Sequence, residues 1–260
     1  MKKTLTMANG IALMVTIAVN YLSNSGLLNG NTMKTISDKY FNYFTPAGYA
    51  FSIWGLIYIG LLGFVIYSGR HLLNKKEEDP ILEKIGWWFV LSCAANSLWV
   101  MAWLYDYIGL SVLLMTVILI SLAKIISNTR MELDAHPLKS YLFIFWPFAL
   151  YFGWISVALI ANIAAYLTKI KWDGWGISEL TWTIVMLVIA GLINIMMIRM
   201  RNLREYGVVG VWAILAISVS NNSNHGTQSI VYTSYIVAAI VFIFITISAL
   251  KNRTRSFEEM

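Results

Sequence analysis

The sequence contains few charged residues and only one cysteine. Charged side chains make up 12% of the 260 residues, hydrophobic side chains make up 58%, and the mean hydropathy is +0.67. A soluble domain carries about 25% charged residues, so the composition predicts a protein that spans a membrane several times. The single cysteine, Cys93, lies in an apolar stretch, which excludes an intrachain disulfide and a cysteine-based metal site. We interpret the net charge of +6 as a signal of membrane topology, and we expect no nucleic-acid partner.

The apolar stretches also lack ionisable side chains in their middle. Asp106, Lys124 and Glu179 lie at the ends of stretches, where their charged groups reach the membrane interface. A proton-coupled pump normally needs a buried carboxylate or histidine, so this class fits poorly. Metalloprotease, phosphate-binding and Ser/His/Asp motifs are missing as well. We therefore expect no catalytic residues and no metal ligands, and we predict that the protein is not an enzyme.

Eight apolar runs are long enough to be membrane helices, since a helix crosses the hydrocarbon core in about 20 residues. The runs cover residues 6–28, 46–68, 86–105, 107–126, 140–167, 178–198, 206–220 and 228–250. With eight helices, 15 Lys and Arg residues fall on the side of the two termini and 4 fall on the other side. The positive-inside rule then places both termini in the cytoplasm. We predict an all-α bundle of eight transmembrane helices, located in a bacterial inner (cell) membrane.

The connections between the runs are short except for residues 29–45, which contain two Tyr and two Phe residues. Two interpretations remain open. The aromatic side chains form an interfacial belt, as in most membrane proteins, or the segment is a lid over a cavity that opens outward.

Aromatic and amide side chains share single faces of three predicted helices. Residues three, four, seven or eight positions apart lie on the same face of a helix. Helix 2 contributes Phe51, Trp54 and Tyr58; helix 3 contributes Asn96, Trp99 and Trp103; helix 5 contributes Tyr151, Trp154, Ala158 and Asn162. These indoles either fill gaps between helices or form a pocket for a flat apolar ligand that the amides orient.

Three motifs on these helices resemble the TspO/MBR family of tryptophan-rich sensory proteins, the translocator protein or peripheral benzodiazepine receptor family. The motifs are FSIWGLIY in helix 2, NSLW in helix 3 and WISVALIAN in helix 5. The resemblance covers approximately residues 5–168 and implies a five-helix membrane core. It divides the chain into a core of residues 1–168 and a second part, residues 169–260, with three additional helices and a short basic tail. The resemblance also implies that the ten aromatic, amide and alanine residues named above bind the ligand.

The resemblance implies a membrane receptor or sensor for a planar apolar ligand, such as a porphyrin, another tetrapyrrole or a sterol-like molecule. No cofactor is required, although a porphyrin or haem-type molecule is itself a ligand of this class. Cys93 and Tyr58 are the only conceivable axial ligands for haem iron inside the bundle. A transporter of an apolar metabolite and a tetrapyrrole-modifying enzyme are the alternatives. The expected partners are the lipid bilayer and a small apolar ligand, and GxxG and AxxxA pairs leave a homodimer open.

Overall fold

A computed structural model describes residues 2–74, 80–134, 136–224 and 227–258, and these residues form helices without any strand. The all-α prediction is therefore confirmed. Eight long helices, which we number α1 to α8, are Lys2–Leu22, Ile53–Asn74, Trp88–Leu104, Ile108–Asn128, Trp146–Lys169, Glu179–Arg201, Arg204–Asn224 and Gln228–Glu258. Short helical segments lie at Met33–Lys39, Gly48–Ser52, Ile81–Ile85, Leu138–Ser140, Tyr141–Phe145 and Gly174–Gly176.

Six of the long helices are long and apolar enough to cross a membrane within the described part of the chain, namely α1, α2, α4, α5, α6 and α8. The helix α3 is equally apolar but has only 17 residues. The helix α7 has 21 residues, but it ends in the polar sequence SVSNNSN. Several of these polar side chains are buried, among them Ser218, Ser220 and Asn221. The chain is thus a polytopic helical bundle in which α7 is an interior helix.

The centre of the bundle is α5. In the 18-residue apolar window within its span, 61% of the residues are buried, against 22–39% in the corresponding windows of the other five spans. It packs against α2 and α4 on one side and against α7 on the other, while α6 and α8 pack against α7 and against each other. Side chains on the two sides of α5 therefore face different spaces between helices.

Glycine residues allow the closest helix contacts of α5. A Cβ atom on Gly153 would lie 2.9 Å from the carbonyl oxygen of Tyr206 in α7, so a larger residue requires the helices to separate. On the other side, a Cβ atom on Gly60 of α2 would lie 3.2 Å from Pro147. Gly63 similarly faces the ring of Phe143. The GxxG pair therefore packs α2 against α5 and against the short segment Tyr141–Phe145 that precedes it, which is how small residues serve membrane helices generally.

The long connection after α1 folds over the α3–α4 end of the bundle. Its short helix Met33–Lys39 begins with a capping box formed by Thr32 and Thr35. The next segment is fixed by Asn42, whose side-chain oxygen accepts a hydrogen bond from the Phe44 backbone at 2.9 Å and whose amide donates to the Tyr40 carbonyl at 3.0 Å. We call residues 29–46 the cap, because they cover the cavity described below.

Candidate functional site

The aromatic residues of α2, α3 and α5 form one cluster around Trp54. Its ring stacks on Tyr58, with ring centroids 5.4 Å apart, and lies 6.1 Å from Trp99. Tyr151 and Trp154 meet Trp54 edge-on at 5.7 and 6.4 Å. These are the distances and angles that aromatic pairs favour. The three helix faces that the sequence marked therefore converge.

Phe51 and Trp103 extend the cluster at its two ends. Phe51 lies 6.2 Å from Trp154, also edge-on, and Trp103 lies 6.4 Å from Trp99. The indole nitrogen of Trp103 donates to the backbone carbonyl of Met33 at 3.2 Å. Since Met33 begins the short helix of the cap, this bond connects the cluster directly to the cap.

A first polar network orients Trp99. Its indole N–H donates to the side-chain oxygen of Asn162 at 2.9 Å, and the Asn162 amide donates to the Ser111 hydroxyl at 2.8 Å. All three residues are buried, and Ser111 also donates to the Ile108 carbonyl at 2.7 Å. The network joins α3, α4 and α5 and uses each polar group at least once, so these amides and indoles have a structural role whether or not a ligand is bound.

A second network holds the other side of the cluster. The amide of Asn96 donates to the hydroxyl of Tyr151 at 3.0 Å, and its oxygen accepts from Asn20 of α1 at 2.8 Å. Neither Asn96 nor Tyr151 lines the cavity below. Both therefore support Trp54 from behind.

The cluster encloses a small cavity of about 50 Å³ beneath the cap. Seven of the ten predicted site residues line it: Phe51, Trp54, Trp99, Trp103, Trp154, Ala158 and Asn162. Tyr58, Asn96 and Tyr151 lie in the layer behind it. The cavity has room for one or two water molecules, so a planar ligand of porphyrin size enters only if the cap moves.

Eight lining residues were not among the predicted positions. They are Met33, Ser37, Tyr40, Thr45, Pro46, Met115, Ala161 and Ala165. The two alanines lie on the same face of α5 as Ala158 and Asn162, so helical spacing offered a signal for them. The five cap residues gave no such signal, because their position depends on how residues 29–46 fold back.

Two buried polar atoms of the cluster have no hydrogen-bond partner among the described residues, namely the Trp154 indole nitrogen and the Tyr58 hydroxyl oxygen. Trp154 lines the cavity and is only 2% exposed. An unpartnered buried donor destabilises a protein by about 1–3 kcal/mol. The indole N–H of Trp154 is therefore an unused hydrogen-bond donor on a residue that lines the cavity.

The cap is fastened beside the cavity by Asp106, in the turn between α3 and α4. Its carboxylate accepts hydrogen bonds from the Tyr40 hydroxyl at 2.8 Å, from Lys39 at 2.7 Å and from Lys169 at 2.9 Å. Desolvation acts to raise the pKa of Asp106, but these three donors outweigh it and lower the pKa to about 2. Because Tyr40 also lines the cavity, the segment forms part of the cavity wall, and its action as a lid stays a prediction.

Within the described residues, no group of three His, Cys, Asp or Glu side chains could hold a metal ion. Cys93 and Tyr58, the axial ligands that the sequence offered for haem iron, do not line the cavity. What the arrangement can do chemically is to enclose an apolar ring system between indoles.

Neither the curated proteins nor the solved structures contain a match to this chain. A family model described as TSPO-like protein matches residues 6–247 and therefore continues through α6 and α7 and most of α8. The division of the chain at residue 168 stays a prediction, because a match over the whole chain does not define domains. The chain belongs to the TSPO-like family of membrane proteins.

Proposed function

We propose that this protein is a receptor or sensor that binds a planar apolar ligand of the porphyrin or sterol type in the indole-lined cavity. The observation that carries the proposal is the buried Trp154 N–H, which lines the cavity and has no partner among the described residues. Packing alone explains indoles that hydrogen-bond to neighbours, as Trp99 and Trp103 do. It does not explain a buried indole N–H without a partner on a residue that lines the cavity, whereas a ligand acceptor does.

Ligand entry in this proposal requires the cap to open. The cavity of about 50 Å³ lies well below the 300–1,000 Å³ of typical small-molecule sites. The cap is held by partly exposed ion pairs, such as Lys39–Asp106, in which the side chains are 54% and 30% exposed, and by buried side chains, among them Ile36 and Phe44. Exposed ion pairs contribute about 0.2–1 kcal/mol each, so the buried contacts set most of the cost of opening the cap. Closure over a ligand would then change the outer surface, which suits a sensor.

The proposal extends to topology and assembly. We propose that both termini lie in the cytoplasm of a bacterial cell and that the cap lies outside, because 15 basic residues fall on the terminal side and 4 on the cap side. A homodimer stays a prediction; Gly60 and Gly63, which the sequence offered for it, already pack against Pro147 and Phe143 of the same chain.

The experiment that tests the function uses the purified protein in phosphatidylcholine nanodiscs. Protoporphyrin IX is titrated in darkness while intrinsic tryptophan fluorescence is recorded, and the porphyrin spectrum is then followed in light and in darkness. A receptor gives saturable quenching and an unchanged porphyrin spectrum. Light-dependent loss of the porphyrin would instead indicate an enzyme, and quenching that never saturates would refute a defined site.

A further inference from the structure

A second and larger cavity lies between α5 and α6. Its volume is about 650 Å³, within the range of small-molecule sites. The α5 wall is formed by Ile160, Ile163, Ala164 and Leu167, and the α6 wall includes Met186. Ile160 and Leu167 are seven residues apart, so this wall runs for about 10 Å along the helix. We call this cavity the lateral groove.

The lateral groove is separate from the indole-lined cavity. Ala161 and Ala165 of α5 face the inner cavity, whereas Ala164, on another side of the helix, faces the groove. The cap completes the partition, because Phe44 lines the groove while Thr45 lines the inner cavity. A ligand of the groove therefore does not need the inner cavity to open.

The groove has an open side at the depth of the bilayer. Ile163 on its α5 wall is 39% exposed, and α6 packs mainly on α7 and α8. In a membrane, the exposed flank of these two helices faces lipid chains. The groove therefore takes a flexible hydrocarbon chain directly from the bilayer.

Three indoles form a rim at one end of the groove. Trp172, Trp175 and Trp182 lie 5.3–6.1 Å from one another between ring centroids. Trp182 is fixed by an N–H bond to the Gly174 carbonyl at 2.9 Å, whereas Trp175 is 77% exposed. Tryptophan is enriched at the level of the lipid headgroups. The rim thus marks where the polar end of an amphiphile would lie.

Lys171 supplies a positive charge at this rim. Three of the four lysines on the cap side are paired, since Lys34 binds Asp38 while Lys39 and Lys169 bind Asp106. The ammonium of the fourth, Lys171, has no hydrogen bond or ion pair within the described residues. This residue lines the groove, and its backbone has φ +53°, a left-handed conformation that is strained in residues other than glycine.

The two carboxylates of the rim are already engaged by backbone donors. Asp173 accepts from the Trp175 N–H at 3.0 Å, and Glu179 accepts from the Tyr43 N–H at 3.1 Å. A single backbone hydrogen bond does not neutralise a carboxylate, so both groups keep their negative charge. Lys171 is the cation among the residues that line the groove, and its ammonium is the group that would pair with an anionic headgroup.

We propose that the lateral groove is a binding site for a long-chain fatty acid, with its acyl chain between α5 and α6 and its carboxylate at Lys171. The single chain matches the elongated apolar walls, the indole rim matches the interface, and the unpaired ammonium matches the carboxylate. The site is independent of the planar ligand proposed above.

The test uses the full-length protein in phosphatidylcholine nanodiscs with 9,10-dibromostearic acid as probe, because bromine quenches nearby tryptophan fluorescence. We expect saturable quenching. Replacing Lys171 by Gln should weaken binding by about 1.5- to 5-fold, the range for an exposed charge pair. The same change should leave binding of the corresponding brominated alcohol unaltered. The matched control Lys34→Gln removes an equal charge outside the groove and should have no effect.

A second pair of variants tests the groove without changing charge. Ala164→Phe fills the groove and should weaken the acid by about tenfold or more. Val185→Phe adds the same ring on an exposed position of α6 that does not line the groove, and it should leave the affinity unchanged. Circular dichroism and thermal unfolding confirm that each variant is folded.

Several results would overturn the proposal. They are unsaturable quenching, equal affinity in folded Ala164→Phe, equal binding of acid and alcohol, or stronger binding of a brominated alkyltrimethylammonium. Quenching by brominated phosphatidylcholine that the free acid does not displace would assign the groove to phospholipid and would also overturn it. Because Trp154→Phe alters only the inner cavity, unchanged acid binding in that variant separates this proposal from the planar-ligand site.

Discussion

Replacing Trp154 by Phe is the most direct perturbation of the indole-lined cavity. The side chain is 2% exposed, lies edge-on to Trp54 at 6.4 Å and to Phe51 at 6.2 Å, and carries the unpartnered N–H. Phenylalanine retains an aromatic ring at this position but removes the N–H and part of the ring area. The change therefore affects both contacts that a bound ligand would make with this residue.

The magnitude follows from these two contacts. An aromatic pair contributes about 0.5–1.5 kcal/mol beyond area burial, which is a loss of about 2- to 12-fold in affinity. A neutral hydrogen bond contributes about 0.5–1.5 kcal/mol more, and this second loss applies only to a ligand with an acceptor at that point. A planar ligand without an acceptor should therefore lose less affinity than one with an acceptor.

The assay compares dissociation constants for protoporphyrin IX and for a planar hydrocarbon, both measured by fluorescence in nanodiscs. Trp88→Phe is the matched control, because Trp88 begins α3 and does not line the inner cavity. We expect weaker binding in Trp154→Phe and unchanged binding in Trp88→Phe. The thermal unfolding temperature is measured without ligand, so that packing and binding are distinguished.

One result would refute the reasoning. If Trp154→Phe lowers the unfolding temperature but leaves both dissociation constants unchanged, Trp154 only packs the bundle. The indole cluster would then be structural, and the ligand of this protein would have to bind elsewhere.

Three further predictions test the cap, the amide network and the topology. In Asp106→Asn, we expect faster association and dissociation of the planar ligand in stopped-flow fluorescence, because the cap loses its ion pairs. In the native protein both rates should be constant from pH 5 to 8, because the pKa of about 2 keeps Asp106 ionised over this range. The contribution of Asp106 is lost only as the pH falls towards that value. Identical rates in the variant would show that Asp106 does not hold the cap. Asn162→Leu leaves the Trp99 N–H without its partner and should lower the free energy of unfolding by about 1–2 kcal/mol in detergent denaturation. If the losses in unfolding free energy of Asn162→Leu and Trp99→Phe are additive in the double variant, the hydrogen bond contributes nothing. Reporter fusions should be cytoplasmic at Arg130, Arg201 and Arg253 and external at Lys34 and Lys171. A reversed pattern would contradict the positive-inside rule.

Apolar run length was sufficient to predict the long helices, because each membrane helix must satisfy its backbone hydrogen bonds within itself. The run 178–198 corresponds to Glu179–Arg201 and the run 107–126 to Ile108–Asn128. The errors lie at the ends. The first run was extended to residue 28, but α1 ends at Leu22, and the chain turns through Gly26 in a left-handed conformation. The turning residues Ser23, Asn24, Ser25 and Gly26 are polar or glycine, and the run was extended across them because the apolar residues Leu27 and Leu28 follow.

The residues of the inner cavity were predictable only where one helix face carried them. Trp54 with Tyr58, and Trp154 with Asn162, are related by helical spacing, so their convergence followed once the three helices packed together. Tyr40 is different, since its place in the cavity depends on Asp106, which is 66 positions away in the sequence. The lateral groove also escaped prediction, because it is a gap between α5 and α6 and no residue pattern marks a gap.

The three helices after residue 168 contribute to the cap as well as to the lateral groove. Asn221 of α7 donates to the Tyr43 carbonyl at 2.8 Å, and the Ala47 N–H donates to the Ala216 carbonyl of α7 at 2.9 Å. Glu179 at the start of α6 holds the Tyr43 N–H. Since Thr45 and Pro46, between these anchored residues, line the inner cavity, any movement of α6 or α7 would be transmitted to the cavity wall.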